Sequence, residues 1–311
     1  MLRFYKTDPE TKKLTKLEEP EPDSWIDLVE PTDDEIAKVL KITNIDADLL
    51  TKMRDDDELP RTEATKNATL IVVDVPAIDD DEHYITYPVG IIATNDNYLV
   101  TVSPRRTNIF QDFRKGLISN FRTAKKTRFL IQTMNAVAAK YLEILNNIYR
   151  KLEYREDMLQ QATKNEDLVD LLMTEKTLVY FTTSLKENSL VLERINKGSV
   201  LPLYEDDLDM LEDAIIENNQ AIDMALIYRD ILSTITETYS NIISNNLNNI
   251  MKFLAGMTIV ISVPTIISSF LGMNVPFGAV GVSPLSATAI FILSLILSIA
   301  VAILLRKKNL L

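Results

Sequence analysis

Four hydroxyl side chains recur in an uncharged run near the C-terminal end of the chain: Thr258, Ser262, Thr265 and Ser269. At about 100° per residue, their spacing places them within roughly 60° of one another on a helix. A line of neutral oxygens on one helix face can touch a hydrated cation and still release it. The same small hydroxyl residues also serve helix packing in membranes. Extended downward, the line reaches Ala255, Met251 and, more loosely, Asn248. Just beyond the run stands Gly272-Met273-Asn274. There the glycine suits a helix terminus or tight turn, and the asparagine offers a neutral carbonyl oxygen. From Thr238 to Leu311 there is no aspartate or glutamate, although the chain holds 45 of them. A second group, Asp79-Asp80-Asp81-Glu82-His83, has the residue types of a metal site. It lies between two β-rich runs and reads as a solvated hairpin turn.

The hydroxyl line needs a long helix beneath it. No proline or glycine interrupts the chain from Leu203 to Ala255, and Leu208, Leu211, Ile215, Ile222 and Leu226 keep one stripe, continued by Leu232, Ile235, Tyr239 and Ile242. Roughly 50 residues of helix at about 1.5 Å each make a stalk about 75 Å long, packed against copies of itself or against preceding helices. The predicted organisation is an N-terminal α/β domain (1–107), a helical segment (108–202) and a stalk helix (203–252). A first membrane span (253–271), an outer loop (272–284), a second span (285–305) and a basic tail (306–311) follow. Each span is long enough for a hydrocarbon core of about 30 Å. Lys252 precedes the first span and Arg306, Lys307 and Lys308 follow the second, while the loop is uncharged. The positive-inside rule then puts the body and both termini in the cytoplasm of a multi-pass cell-membrane protein.

In the first domain, β-rich runs occur at Thr69–Val75, Tyr84–Ala93 and Tyr98–Val102, bounded by turn clusters. Thr32 followed by Glu35 marks a helix start. The fold class is therefore α+β, a small sheet with flanking helices, joined to the stalk and two C-terminal transmembrane helices. Composition narrows the chemistry. The net charge of −12 argues against nucleic acid. Cysteine is absent and His83 is the one histidine, which excludes disulfides, thiolate metal sites and multi-histidine zinc sites within a chain. Met1-Leu-Arg-Phe-Tyr-Lys6 lacks the apolar core of a secretory signal. With no nucleophile–base pair and no phosphate loop in the sequence, an enzyme is not expected.

On Gly272-Met273-Asn274 the sequence resembles the CorA family of magnesium transporters, which carry two spans near the C-terminus joined by a loop opening with this tripeptide. The resemblance extends to Trp25-Ile-Asp-Leu-Val-Glu-Pro-Thr32, Gln220-Ala-Ile222, Tyr228-Arg-Asp-Ile-Leu-Ser233 and Ser244–Lys252. It implies a funnel-shaped homopentamer in the lipid membrane, its pore lined by the first span and its outer mouth ringed by Asn274. Mg2+ would be both the transported and the regulatory ion, with no covalent cofactor. Cytoplasmic carboxylates between subunits would hold the pore shut; counting back from the tripeptide indicates Asp213, with Asp56 and Asp57 of Asp55-Asp56-Asp57-Glu58 as the N-terminal partner. Lys252, Arg306, Lys307 and Lys308 would form a basic collar or a headgroup anchor. Two features depart from the family pattern: Leu271 precedes the tripeptide where tyrosine is common, and the loop Val275–Pro284 has no acidic residue. Co2+ and Ni2+ remain possible cargo. The alternatives are zinc or other transition-metal transport by a related branch, and a membrane-anchored coiled-coil scaffold or sensor without transport.

Overall fold

The structure is a computed structural model that describes residues 1–79, 83–158, 165–273 and 284–308. The described chain divides into two compact units, Met1–Ile235 and Thr236–Leu311.

The first unit is built on a seven-stranded sheet. Its strands are β1 (Leu2–Thr7), β2 (Leu14–Leu17), β3 (Trp25–Val29), β4 (Arg61–Ala64), β5 (Ala68–Ile78), β6 (Tyr84–Thr94) and β7 (Leu99–Ser103). Their order is β2-β1-β3-β7-β6-β5-β4. Every pairing is antiparallel except β3 with β7. Three of these strands coincide with the β-rich runs of the sequence: β5 and β6 extend beyond theirs, and β7 is shifted by one residue. Alternation along the strands feeds two cores. Trp25, Ile71, Val73, Val75, Val89 and Ile91 enter one; Ile26, Leu28, Leu70, Val72, Val100 and Val102 enter the other. Side chains two apart share a sheet face, so a sheet covered on both sides reads as continuous apolar sequence.

The second of these cores is closed by α1 (Asp33–Thr43) and α2 (Ala47–Lys52), which contribute Ile36, Val39, Leu49 and Leu50. The expected helix start is present: Thr32 Oγ1 accepts from the Glu35 N–H at 3.3 Å, and the Glu35 carboxylate accepts from the Thr32 N–H at 3.0 Å. The first core is closed by α3 (Gln111–Arg114), α4 (Lys126–Met158), α5 (Asn165–Asn196) and the first part of α6 (Leu208–Leu271). Trp25 is its aromatic hub, with Tyr5, Phe110, Phe113, Phe121 and Phe129 around it. Its indole N–H donates to Thr101 Oγ1 at 2.9 Å, and Thr101 donates to the buried Asp27 at 3.0 Å.

The long helix begins five residues later than the expected stalk. Tyr204 is extended (φ −111°, ψ 147°), and Glu205–Asp207 form a 3-10 turn before Leu208. The start is pinned by Asp207, a buried carboxylate paired with Arg128 of α4 at 2.5 Å. The face that α6 buries coincides with the aliphatic stripe at Leu211, Leu232, Ile235 and Tyr239 and differs from it elsewhere. Leu208 is exposed and Ile215, Ile222 and Leu226 are half-buried, whereas Leu211, Ala214, Asn218, Ala221, Ala225, Tyr228, Leu232, Ile235 and Tyr239 are buried. These alternate in steps of three and four, the seam of coiled-coil packing. Alanine and asparagine dominate its upper half because small side chains let helices approach closely. There Asn218 donates to the Leu185 carbonyl of α5 at 3.1 Å. Lower down, Tyr228 stacks on Tyr149 of α4 with ring centroids 5.1 Å apart. Sheet, middle helices and upper α6 therefore share one core.

In the second unit α6 continues through Pro264 to Leu271, and α7 spans Pro284–Lys307. Both are long and apolar enough to cross a membrane. Most of their large apolar side chains are exposed, among them Phe253, Ile261, Ile266, Phe291, Ile296 and Ile303. Ser294 and Ser298 are buried. That inversion of the soluble pattern suits a helix pair solvated by hydrocarbon.

Candidate ion-conduction site

The hydroxyl residues stand on the lower part of α6. Asn248, Met251, Thr258, Thr265 and Ser269 are exposed, and Ser262 is half-buried. Three of the hydroxyl protons are directed at the helix itself. Thr258 donates to the Leu254 carbonyl at 2.8 Å, Ser262 to Thr258 at 2.7 Å and Thr265 to Ile261 at 3.0 Å. Such back-bonding to the preceding turn occupies the donor and leaves the oxygen lone pairs facing outward.

The opposite side of this helix is the one the chain covers. Gly256 is buried, and Val260, Val263, Ile267 and Leu271 are partly covered. At about 100° per residue these positions centre roughly 170° from the hydroxyl line. Packing within the chain thus centres on the other face and leaves Thr258, Thr265 and Ser269 exposed.

Above the line, the Gly272 N–H closes the last turn on the Ser268 carbonyl at 3.0 Å, and the Met273 N–H bonds Phe270 at 3.4 Å. Gly272 does not take the left-handed conformation of a glycine helix cap. Met273 is exposed. Asn274, and the loop residues up to 283, lie outside the described residues. At the other end, Lys252, Arg306, Lys307 and Lys308 are all exposed. Arg306 and Lys307 occupy the last turn of α7, where cations complement the helix dipole.

The acidic positions of the body have distinct environments. Asp213 is exposed on α6. One turn on is Glu217, whose carboxyl is pushed above its ordinary value by partial burial and then by the charge of Asp213. Glu217 was not singled out from the sequence, although its i, i+4 spacing from Asp213 was a readable signal. Asp56 is ion-paired with Arg105 at 2.6 Å. Asp57 is exposed, with its N–H bonded to Asp55 Oδ1 at 3.0 Å. Among the described residues, no three potential ligands gather into a metal cluster within one chain. Of the Asp79–His83 group, 80–82 lie outside the described residues. Its ends are tied as a hairpin turn, with the Asp79 N–H on the His83 carbonyl at 2.9 Å and the His83 N–H on Asp79 Oδ1 at 2.8 Å.

An α+β unit, a helix continuing from it into an apolar segment, and a second apolar helix give the layout of a protein with two candidate membrane spans. The family model described as "CorA-like Mg2+ transporter protein" matches residues 24–307. The chain is 29% identical over 259 residues to the cobalt/magnesium transport protein CorA of Methanocaldococcus jannaschii, covering 80% of this chain and 79% of that one. It is 23% identical over 268 residues to the magnesium transport protein CorA of Campylobacter jejuni, covering 81% and 80%. The complete structure of the CorA magnesium transporter from M. jannaschii superposes with a TM-score of 0.81 at 25% identity, over 99% of this chain and 96% of that one. The cytoplasmic domain of ZntB from Vibrio parahaemolyticus shares the fold at 11% identity, with a TM-score of 0.61 over 79% of this chain and 97% of that one. The chain belongs to the CorA family, a family of membrane ion transporters and not of enzymes.

Proposed function

We propose that this chain forms a homopentameric, channel-like pore that admits hydrated Mg2+, with Co2+ and Ni2+ as lesser cargo. One chain cannot enclose a channel with a single hydroxyl-bearing helix; copies arranged around an axis can. The carrying observation is that the hydroxyl line of α6 faces away from the side covered within the chain. Five copies turn Thr258, Ser262, Thr265 and Ser269 toward the axis, with Asn274 as a ring of amides at the outer mouth and Asn248 and Met251 below. Magnesium dehydrates reluctantly and keeps several waters. Neutral oxygens with free lone pairs hydrogen-bond those waters without stripping them, and without the tight binding a carboxylate ring would impose. With the body and both termini in the cytoplasm, an inside-negative potential drives a divalent ion inward by roughly 4.6 kcal/mol per 100 mV, twice the single-charge value.

Regulation falls to the body. Asp213, with Glu217 beside it and Asp56 and Asp57 from a neighbouring copy, binds cytoplasmic Mg2+ and holds the pore closed. Asp56 must leave Arg105 to take part, which makes the contact weak and responsive to ion concentration. The basic residues at the membrane base, Lys252 and Arg306 to Lys308, bind anionic headgroups and fix the helix ends. A chain without cysteine and with a single histidine offers no soft ligand set, which favours a hard ion over zinc. The test is flux into proteoliposomes with Mg2+, Co2+, Ni2+ and Zn2+ in turn. Mg2+ uptake that is lost in Asn274→Ala supports the pore; undiminished uptake in that variant, or flux of none of the ions, refutes it.

A further inference from the structure

A cleft of about 650 Å3 opens on the first unit and shares no residue with the conduction line or the acidic positions. It lies between the turn after β6, the start of α4 and the segment Leu201–Tyr204 that leads into α6. In a chain of net charge −12, its lining holds Lys125 and Lys126 and no aspartate or glutamate. Lys126 is half-buried; its ammonium donates to the Thr94 carbonyl at 2.6 Å and stands 3.4 Å from Asn97 Oδ1. Neither partner carries charge. Burial pulls this ammonium below its ordinary pKa, against a weaker opposing pull from Asp23 and Asp96. A positive charge held by neutral oxygens in a partly dry cleft is completed by an anion. The α4 N–H groups ahead of Phe129, whose own N–H bonds Lys125, add donors on the same side, and the first turn of α4 has no acidic residue. The remaining wall mixes neutral polar side chains, Thr69, Asn95 and Asn97 among them, with apolar Leu201 and Pro202, and the exposed Tyr204 is part of the lining.

We propose that this cleft binds a nucleotide, its phosphates on Lys125 and Lys126 and its base against Tyr204. The volume falls in the range of small-molecule sites and far exceeds what inorganic phosphate fills. An aromatic face takes any base by stacking. The position has a consequence for α6: Thr127 Oγ1 donates to the Pro202 carbonyl at 2.8 Å, so a ligand here sits on the tie between α4 and the lead-in to the long helix.

The test is thermal unfolding of the full-length protein in detergent micelles with EDTA, titrated separately with ATP, ADP, adenosine and inorganic phosphate. ATP and ADP are expected to raise the midpoint at concentrations where adenosine does not. Lys125→Gln, at an exposed position, is expected to weaken ATP binding about tenfold. Tyr204→Leu should weaken ATP binding and leave any phosphate effect unchanged. No shift with ATP or ADP overturns the site, as does an ATP shift that survives Lys125→Gln combined with Lys126→Gln. Phosphate protecting as well as ATP, with no effect of Tyr204→Leu, overturns the nucleotide assignment. Because the readout is binding, it stands or falls separately from ion flux.

Discussion

Asp74 offers the sharpest quantitative test of the body's electrostatics. It sits on β5 opposite Pro88, beyond Arg61↔Val72, the last pairing with β4. Asn188 of α5 takes over there, accepting the Asp74 N–H at 2.9 Å and donating to its carbonyl at 2.8 Å. The Asp74 carboxyl faces the same helix and accepts from Ser184 at 2.6 Å. Burial raises its pKa from 3.8 to about 6; the Ser184 bond opposes this, and the charge of Glu187 adds to the rise. A raised carboxyl binds its proton more tightly folded than unfolded. Its stabilising contribution is therefore complete below pH 3.8, is lost as pH rises through about 6, and stays lost above. At about 1.4 kcal/mol per pH unit, the gap between 3.8 and about 6 amounts to about 3 kcal/mol of lost stability at pH 8. Asp74→Asn keeps the shape and an acceptor for Ser184 but cannot ionise. The variant should gain about 3 kcal/mol over the parent at pH 8 and about 1 kcal/mol at pH 4.5, where the folded parent still holds most of its proton. Urea unfolding of the full-length protein, followed by the fluorescence of the buried Trp25, measures both. A difference between variant and parent that does not change with pH would refute the assignment of the cost to the ionised carboxylate.

Three further outcomes follow from named contacts. Arg128→Met strands the buried Asp207 carboxylate at the start of α6 and should cost about 3–5 kcal/mol in the same unfolding assay. Ala221→Leu places a large side chain in the close-packed seam, where Ala221 is fully buried, and should cost about 1–3 kcal/mol; the same change at exposed Gln220 should be near neutral. Asp213→Ala should lower the Mg2+ dependence of protease protection in the reconstituted protein, and an unchanged midpoint would remove Asp213 from the regulatory site.

The two membrane segments were plain in the sequence because a run of apolar residues without charge has few other readings, and the hydroxyl line was plain because helical spacing is fixed. The Thr32–Glu35 helix start was legible for a similar reason, since its whole mechanism is contained in four consecutive residues. The strands β1, β2 and β4, of which β2 and β4 are the sheet edges, were harder to see. They are short, and β2 and β4 bury no residue, so their sequences carry no apolar alternation strong enough to read. The seam of α6 was read in part, at Leu211, Leu232, Ile235 and Tyr239; its small members were missed because large aliphatic residues attract attention, yet Ala214, Ala221 and Ala225 are the fully buried positions between them.

Sequence by itself determined the carboxylate-free tail, the neutral stripe on its first helix and the resemblance that led to the family, all of which depend on composition and local spacing. The tertiary structure decided which face of α6 the chain covers, that Asp56 is held by Arg105, and that Lys126 and Tyr204 border one cleft. Each of those facts joins residues far apart in the chain. Their proximity comes from how helices and sheet pack, and local periodicity carries no record of it.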